Sequence, residues 1–236
     1  MLIKGLAKLT LLDYPAHVAC TVFTGGCNFR CPFCHNADLL PGGGEEYMTE
    51  EELLSFLKKR QGLLDAVCIS GGEPTLYAGL PALLRQIKAL GYLVKLDTNG
   101  SRPAVLKALA GEGLIDYVAM DVKNCPRLYG ATVGVETMSL SPLEESLCFL
   151  ISGGADYELR TTVVEEFHDA QSMQEMGQWL SNVLPDLRPK RLYLQSFVDR
   201  DSVLLSGLHT PAAEELEAWR QMLQLYVESV YVRGVE

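Results

Sequence analysis

No apolar run of 18 or more residues occurs anywhere in the 236-residue sequence, so no segment reads as a membrane span. The opening MLIKGLAKLTLLDYP carries Asp13 and lacks a small-residue cleavage site, which argues against a signal peptide. Basic residues are scarce: 20 Lys and Arg against 30 Asp and Glu leave a formal charge of −10. That balance argues against nucleic acid or an anionic membrane as the main partner. Internal repeats, low-complexity tracts and long linkers are also missing, and Pro41-Gly42-Gly43-Gly44 reads as a flexible loop. What is present is an ordinary globular balance, 48% apolar and 21% charged, which supplies a sizeable core and excludes disordered and fibrous classes. The length suits one domain over 1–236, expected in the cytoplasm.

Short apolar, β-branched runs alternate with longer helical patterns along the whole chain. The runs predict strands over 17–24, 66–70, 93–97, 117–121, 157–164 and 191–197, with a last edge strand over 230–232. The patterns between them predict helices over 49–60, 80–90, 102–110, 142–152, 170–184 and 210–226. Thr49 before Glu50, Glu51 and Glu52 reads as an N-cap, and Pro142 and Pro211 read as N1 prolines, the first helical residues after Ser141 and Thr210. Six βα units in series require parallel strands with right-handed crossovers, in a doubly wound sheet or a barrel. Polar and glycine-rich segments follow several strands: Gly25-Gly26, Gly71-Gly72-Glu73, Asp97-Thr98-Asn99-Gly100 and Asp121-Val122-Lys123. Functional groups gathered on one rim favour an α/β fold of the partial (β/α)6 TIM-like barrel kind.

Seven cysteines is an odd number, and they do not look like a secreted disulfide framework. Three of them, Cys27, Cys31 and Cys34, stand in GGCNFRCPFCHN, a C-x-x-x-C-x-x-C loop over 25–36 directly after the first predicted strand. Thiolates so placed select zinc or an iron–sulfur cluster. Zinc wants a fourth ligand, for which His35 is adjacent and His17 lies one strand away. A four-iron cube held by three cysteines instead leaves one iron open for a substrate or cofactor. After the second strand, Gly71-Gly72 permits close approach of backbone to a ligand, and Glu73 can accept a hydrogen bond from an ammonium group.

The cysteine loop, with Phe33 just before its last cysteine, and the GGE element together resemble the radical S-adenosylmethionine superfamily over nearly the whole chain. The resemblance implies a [4Fe-4S] cluster on Cys27, Cys31 and Cys34, with S-adenosylmethionine chelating the open iron. It further implies Phe33 near the adenine and Gly71, Gly72 and Glu73 at the methionine amino group. One electron then cleaves the sulfonium to methionine and a 5′-deoxyadenosyl radical, while the protein positions and shields the cofactor. Cys34-His35-Asn36, Asp97-Thr98-Asn99-Gly100, Met120-Asp121-Val122-Lys123 and Leu159-Arg160 resemble the glycyl-radical-enzyme activating enzymes, such as those for pyruvate formate-lyase. The opening KGLAKLTLLDYPAHVACTVFTGGCNFRCPFCHN and the ending VYVRG are similar to the anaerobic ribonucleoside-triphosphate reductase activating proteins.

For these activases the resemblance implies further cofactor contacts at Asn36, Thr98, Asn99, Asp121, Lys123 and Arg160. Asp97, Thr98 and Asp121 would surround a monovalent cation, since converging carboxylates repel one another unless a cation or Lys123 lies between them. The implied partners are a glycyl radical enzyme as protein substrate and an electron donor such as flavodoxin or ferredoxin. Where pyruvate formate-lyase activators carry a histidine contacting the cofactor after the sixth strand, this chain has Gln195, so that cofactor contact is absent or supplied by Gln195, and no cysteine-rich insert follows Asn36. Cys20 and Cys68 read as buried apolar residues, Cys125 as the one remaining thiol to watch, His168 and His209 as solvated side chains, and Trp179 and Trp219 as packing residues. A radical enzyme acting on a small molecule or peptide, and a non-catalytic iron–sulfur or zinc module, are the competing readings.

Overall fold

A computed structural model describes residues 1–40, 45–200 and 202–234; the loop expected at 41–44 lies outside them. The strands are β1 (Ile3–Thr10), β2 (Ala19–Thr24), β3 (Ala66–Gly71), β4 (Leu93–Thr98), β5 (Tyr117–Asp121), β6 (Asp156–Val163), β7 (Arg191–Ser196) and β8 (Ser229–Arg233). The helices are α1 (Glu50–Lys59), α2 (Leu80–Ala89), α3 (Pro103–Gly111), α4 (Pro126–Val133), α5 (Ser141–Ile151), α6 (Ala170–Val183) and α7 (Ala213–Leu223). The sheet follows chain order from β1 to β8. Pairing is parallel between β2 and β3, β3 and β4, β6 and β7, and β7 and β8, so the expected α/β class holds.

Two elements were not expected. β1 pairs antiparallel with β2, and its IKGLAKLT run buries only Ile3, so it lacks the apolar alternation that marks a half-buried strand. α4 starts at Pro126 without a side-chain cap and carries Gly130 in its middle, which weakens its helical signal. Caps also differ. Thr49 does cap α1 in a reciprocal box with Glu52. Pro142, however, lies behind Ser141, the first residue of α5, and Pro211 precedes α7 altogether. Thr210 is drawn off by another partner, its hydroxyl donating to the Phe197 carbonyl.

The chain packs as two compact units, Met1–Asn28 with Asp38–Ala119, and Phe29–Ala37 with Met120–Glu236. In the first, Val67, Ile69, Val94 and Leu96 meet the helical side of the sheet, where α1 buries Leu53 and Leu57 and α2 buries Leu80, Leu83, Leu84 and Ile87. The opposite face starts apolar, with Tyr14, Ala19, Ala66, Cys68 and Tyr117 clustered together. Farther along the strands it turns polar, through Lys95, Ser70 and Asp97. In the second unit Leu159, Leu192, Leu194 and Val230 form the apolar face, with Met173, Met176 and Leu180 of α6 and Leu216 and Leu223 of α7 buried in the same unit. Its other face carries Glu158, Arg160, Tyr193, Gln195, Tyr231 and Arg233, in line with the parallel register.

Candidate active site

Within the first unit, the segment after β2 is held by backbone. Gly25 N–H donates to Leu2, Gly26 N–H to Leu39, and the turn after β3 closes on the same stretch through Gly72 N–H to Thr24 and Glu73 N–H to Gly26. The glycines of that turn answer to protein contacts. Gly71 has φ +118° with Thr24 backbone beside it, and a Cβ on Gly72 would fall 1.9 Å from the Gly26 carbonyl oxygen. Glu73, expected to face an ammonium group, is 0% exposed. Its Oε1 accepts from Thr75 N–H (3.1 Å), the Thr75 hydroxyl and the Thr98 hydroxyl (2.8 Å), and its Oε2 accepts from Asn99 N–H (2.7 Å). Burial pushes its pKa up against the pull of these donors. Glu73 therefore ties the β4 end to the β3 end.

Asn99 in turn reaches the first cysteine. Its Nδ2 lies 3.9 Å from Cys27 Sγ and 2.9 Å from Asn28 Oδ1, and its Oδ1 accepts from Ser101 N–H at 3.0 Å. Asp97 accepts from Ser70 (3.0 Å) and pairs with Lys95, a lysine only 1% exposed. A buried ammonium demands such a partner.

The second unit holds the other half of the cysteine loop. Arg30 N–H donates to Val133 at the end of α4 (2.7 Å), Leu205 N–H donates to Pro32, and the Ser202 hydroxyl donates to His35. Phe33 is 3% exposed, its ring packed against Phe167 (5.5 Å) and His168 (6.3 Å). It acts as an anchor for the loop between Cys31 and Cys34. His35 stacks on Phe197 at 5.2 Å with Nε2 2.7 Å from the Val198 carbonyl. Asn36 is half-buried before the turn Ala37–Leu39.

Asp121 at the end of β5 accepts from Lys123 Nζ (2.9 Å) and Arg160 Nε (3.0 Å). Burial pulls the Lys123 ammonium down, but the charges of Asp121 and a Cys31 thiolate outweigh it and hold its pKa above the ordinary value. Gln195 lies on the same face of β7, opposite Thr162 in register. Tyr129 of α4 accepts from Lys123 N–H (3.2 Å), and burial pushes its phenol pKa up. His168, expected in solvent, is 4% exposed: Nε2 meets the Lys123 carbonyl at 2.9 Å and Nδ1 meets Val164 at 3.1 Å. Desolvation holds its pKa below the ordinary value.

Cys20, Cys68 and Cys125 are buried. Burial pushes Cys20 and Cys68 up to about 12, and Cys125 is buried with its thiol donating to Glu175 (3.3 Å) and its pKa raised by burial. Trp179 and Trp219 are buried packing residues as expected. His209 is exposed and paired with Glu166. Among the described residues no three His, Cys, Asp or Glu side chains converge on one metal ion, which is what a single zinc requires. A cube that takes each thiolate on a different iron needs no such convergence.

The Radical SAM superfamily model matches residues 21–172. The chain belongs to the radical SAM superfamily. A Methanocaldococcus jannaschii protein named as a glycyl-radical enzyme activating enzyme is 30% identical over 99% of this chain and 96% of its own length. A Haemophilus influenzae protein named in the same way is 26% identical over 84% of this chain and 83% of its own. The Streptococcus suis SuiB structure bound to S-adenosylmethionine shares the fold at 14% identity and a TM-score of 0.68, covering 90% of this chain. The chain spans 49% of SuiB.

This radical SAM protein is an enzyme, and its family employs a [4Fe-4S] cluster and S-adenosylmethionine. The donor chemistry present suits them. An amide N–H is aimed at the Cys27 sulfur, and the Lys123 cation lies within electrostatic reach of Cys31. Both favour thiolates, the form that binds iron. Among the described residues no helix is long and apolar enough to cross a membrane. Lys95, Tyr129 and His168 were not among the expected site residues. Each depends on a contact that only the fold creates, although an isolated lysine inside an apolar strand is a signal that sequence alone offers.

Proposed function

We propose that this enzyme is a glycyl-radical-enzyme activase of the anaerobic ribonucleoside-triphosphate reductase activating type, working as one domain over 1–236 in the cytoplasm. The observation that carries this reading is the extent of the likeness. The match to the Methanocaldococcus jannaschii relative runs through 99% of the chain, well beyond the 21–172 span of the superfamily model. The opening over 4–36 and the VYVRG ending support the reductase-activating type.

In this reading Cys27, Cys31 and Cys34 hold the cluster. When bound, the cluster and S-adenosylmethionine supply one-electron cleavage of the sulfonium and removal of a hydrogen atom from a glycine Cα of the partner enzyme, which keeps the unpaired electron. Lys123 and Arg160, both held by Asp121, are the residues at the S-adenosylmethionine carboxylate and ribose. The Gly71–Glu73 turn presents main chain to an amino group while buried Glu73 fixes the position of Asn99. Phe33, pinned by Phe167 and His168, orients the loop carrying Cys31 and Cys34. Asp97 pairs with Lys95, and Asp121 with Lys123 and Arg160. A flavodoxin or ferredoxin is the electron donor.

The test is 5′-deoxyadenosine formation by anaerobically reconstituted enzyme with dithionite, alone and with the anaerobic reductase or a peptide of its glycine loop. The loop must leave its own fold to react, which costs ordering entropy, so cleavage is expected to be slow alone and faster with the partner. Stimulation by a small metabolite and by no glycyl radical enzyme would overturn the assignment.

A further inference from the structure

Asn99 sits beside the first cysteine with every polar group of its side chain engaged. An asparagine amide has two N–H donors and one carbonyl acceptor. Oδ1 is identified by its partner, because it accepts Ser101 N–H at 3.0 Å and only a carbonyl oxygen can do that. The two hydrogens of Nδ2 therefore go to Asn28 Oδ1 at 2.9 Å and Cys27 Sγ at 3.9 Å. Asn28 in turn donates from its own Nδ2 to the Ser101 hydroxyl at 2.9 Å, which closes a ring of three residues through the Ser101 backbone N–H. Beneath them the Asn99 backbone is fixed by Asn99 N–H on Glu73 Oε2 at 2.7 Å, inside a carboxylate site sealed from solvent. An amide fully committed within the protein is poorly placed to be a ligand for a small molecule, but it is well placed to hold one N–H on a sulfur.

We propose that Asn99 sets the reduction potential of the cluster through this N–H···S hydrogen bond to Cys27, with Glu73 and Ser101 as the residues that position it. The inference rests on the reading of Cys27 as a cluster ligand. Hydrogen bonds to ligand sulfurs are one of the levers by which a protein moves an iron–sulfur potential. Adding an electron raises the negative charge on the sulfurs, and a donor stabilises the more negative state more strongly. Asn99 thus makes the cluster easier to reduce, and removing its N–H makes reduction harder.

The experiment is a redox titration without S-adenosylmethionine, followed by electron paramagnetic resonance of the reduced cluster, in wild type, Asn99→Ala, Asn99→Asp and Asn28→Ala, with iron counted in each. Asn99→Asp is nearly isosteric and keeps the acceptor for Ser101 N–H, but it has no N–H to give. Both Asn99 variants are expected to bind full iron and titrate at a more negative potential. At fixed solution potential their ratio of reduced to oxidised cluster falls by about tenfold, equivalent to ~59 mV for a one-electron couple. Asn28→Ala keeps the sulfur bond and is expected near wild type.

Equal potentials in wild type and both Asn99 variants would overturn the proposal, as would an equal shift in Asn28→Ala, which would assign the effect to loop loosening. Wild type prepared with 15N-labelled asparagine provides a check that no substitution can spoil. A nitrogen hyperfine coupling to the reduced cluster is expected, and its absence would overturn the proposal. Failure of wild type itself to bind about four irons would instead overturn the cysteine assignment.

Discussion

Glu73 has no solvent contact and four protein donors on its two oxygens, so its substitution acts first through buried hydrogen bonds. Glu73→Gln places an amide N–H₂ where a donor now points and leaves at least one buried group unpaired, a loss of about 1–3 kcal/mol. We expect a lower Tm with full iron loading, measured by thermal melts and iron analysis; an unchanged Tm would contradict the buried network. The cysteines separate more sharply. Cys27→Ala, Cys31→Ala and Cys34→Ala should each abolish the cluster, whereas Cys68→Ala and Cys148→Ala should retain it, as read by iron content and the visible absorption of the cluster. A full cluster in Cys31→Ala would contradict the ligand assignment. The ligand loop is legible in the sequence because three thiols within eight residues are a local pattern. The roles of Glu73 and Asn99 are not, because they depend on contacts between residues 26 and 72 positions apart.

At the level of elements, the alternation of strands and helices is legible because β-branched runs bounded by turns differ from 3.6-residue periodicity, and the expected positions of β2 to β8 agree with the observed ones to within a few residues. α4 escapes because its stability comes from tertiary contacts. Its C-terminal Gly134 has φ +66° and packs so closely on Arg30 that a Cβ would lie 2.5 Å from the Arg30 carbonyl oxygen. His168 escapes for the same reason, since its ring is buried by Lys123 and Phe33, far away in sequence. That burial has a pH consequence. Its folded pKa lies below the ordinary 6.5, so the stability contributed by the neutral ring is complete above that value and is lost as pH falls through the depressed one. Melting curves from pH 7.5 down to 5.5 should show a steeper loss of Tm in wild type than in His168→Gln. Parallel slopes would contradict a buried neutral histidine.

Over the whole molecule, the formal charge of −10 is the ground on which nucleic acid is not expected as the main partner. The division into two units is not legible, because the boundary falls inside the cysteine loop, between Asn28 and Phe29, where no change of composition marks it. The first unit carries Cys27 with its Asn99 and Glu73 support, and the second carries Cys31, Cys34 and the Asp121, Lys123 and Arg160 group. The central claim is that this chemistry ends on a glycine of another protein. The most direct measurement is electron paramagnetic resonance of the anaerobic ribonucleotide reductase after incubation with reduced enzyme and S-adenosylmethionine, with the reductase labelled in its glycine α-carbons by 13C. The account predicts a glycine-centred doublet that broadens with the label and is missing when Cys31→Ala replaces wild type. An unlabelled-like spectrum, or no radical on any glycyl radical enzyme of the host, would contradict it.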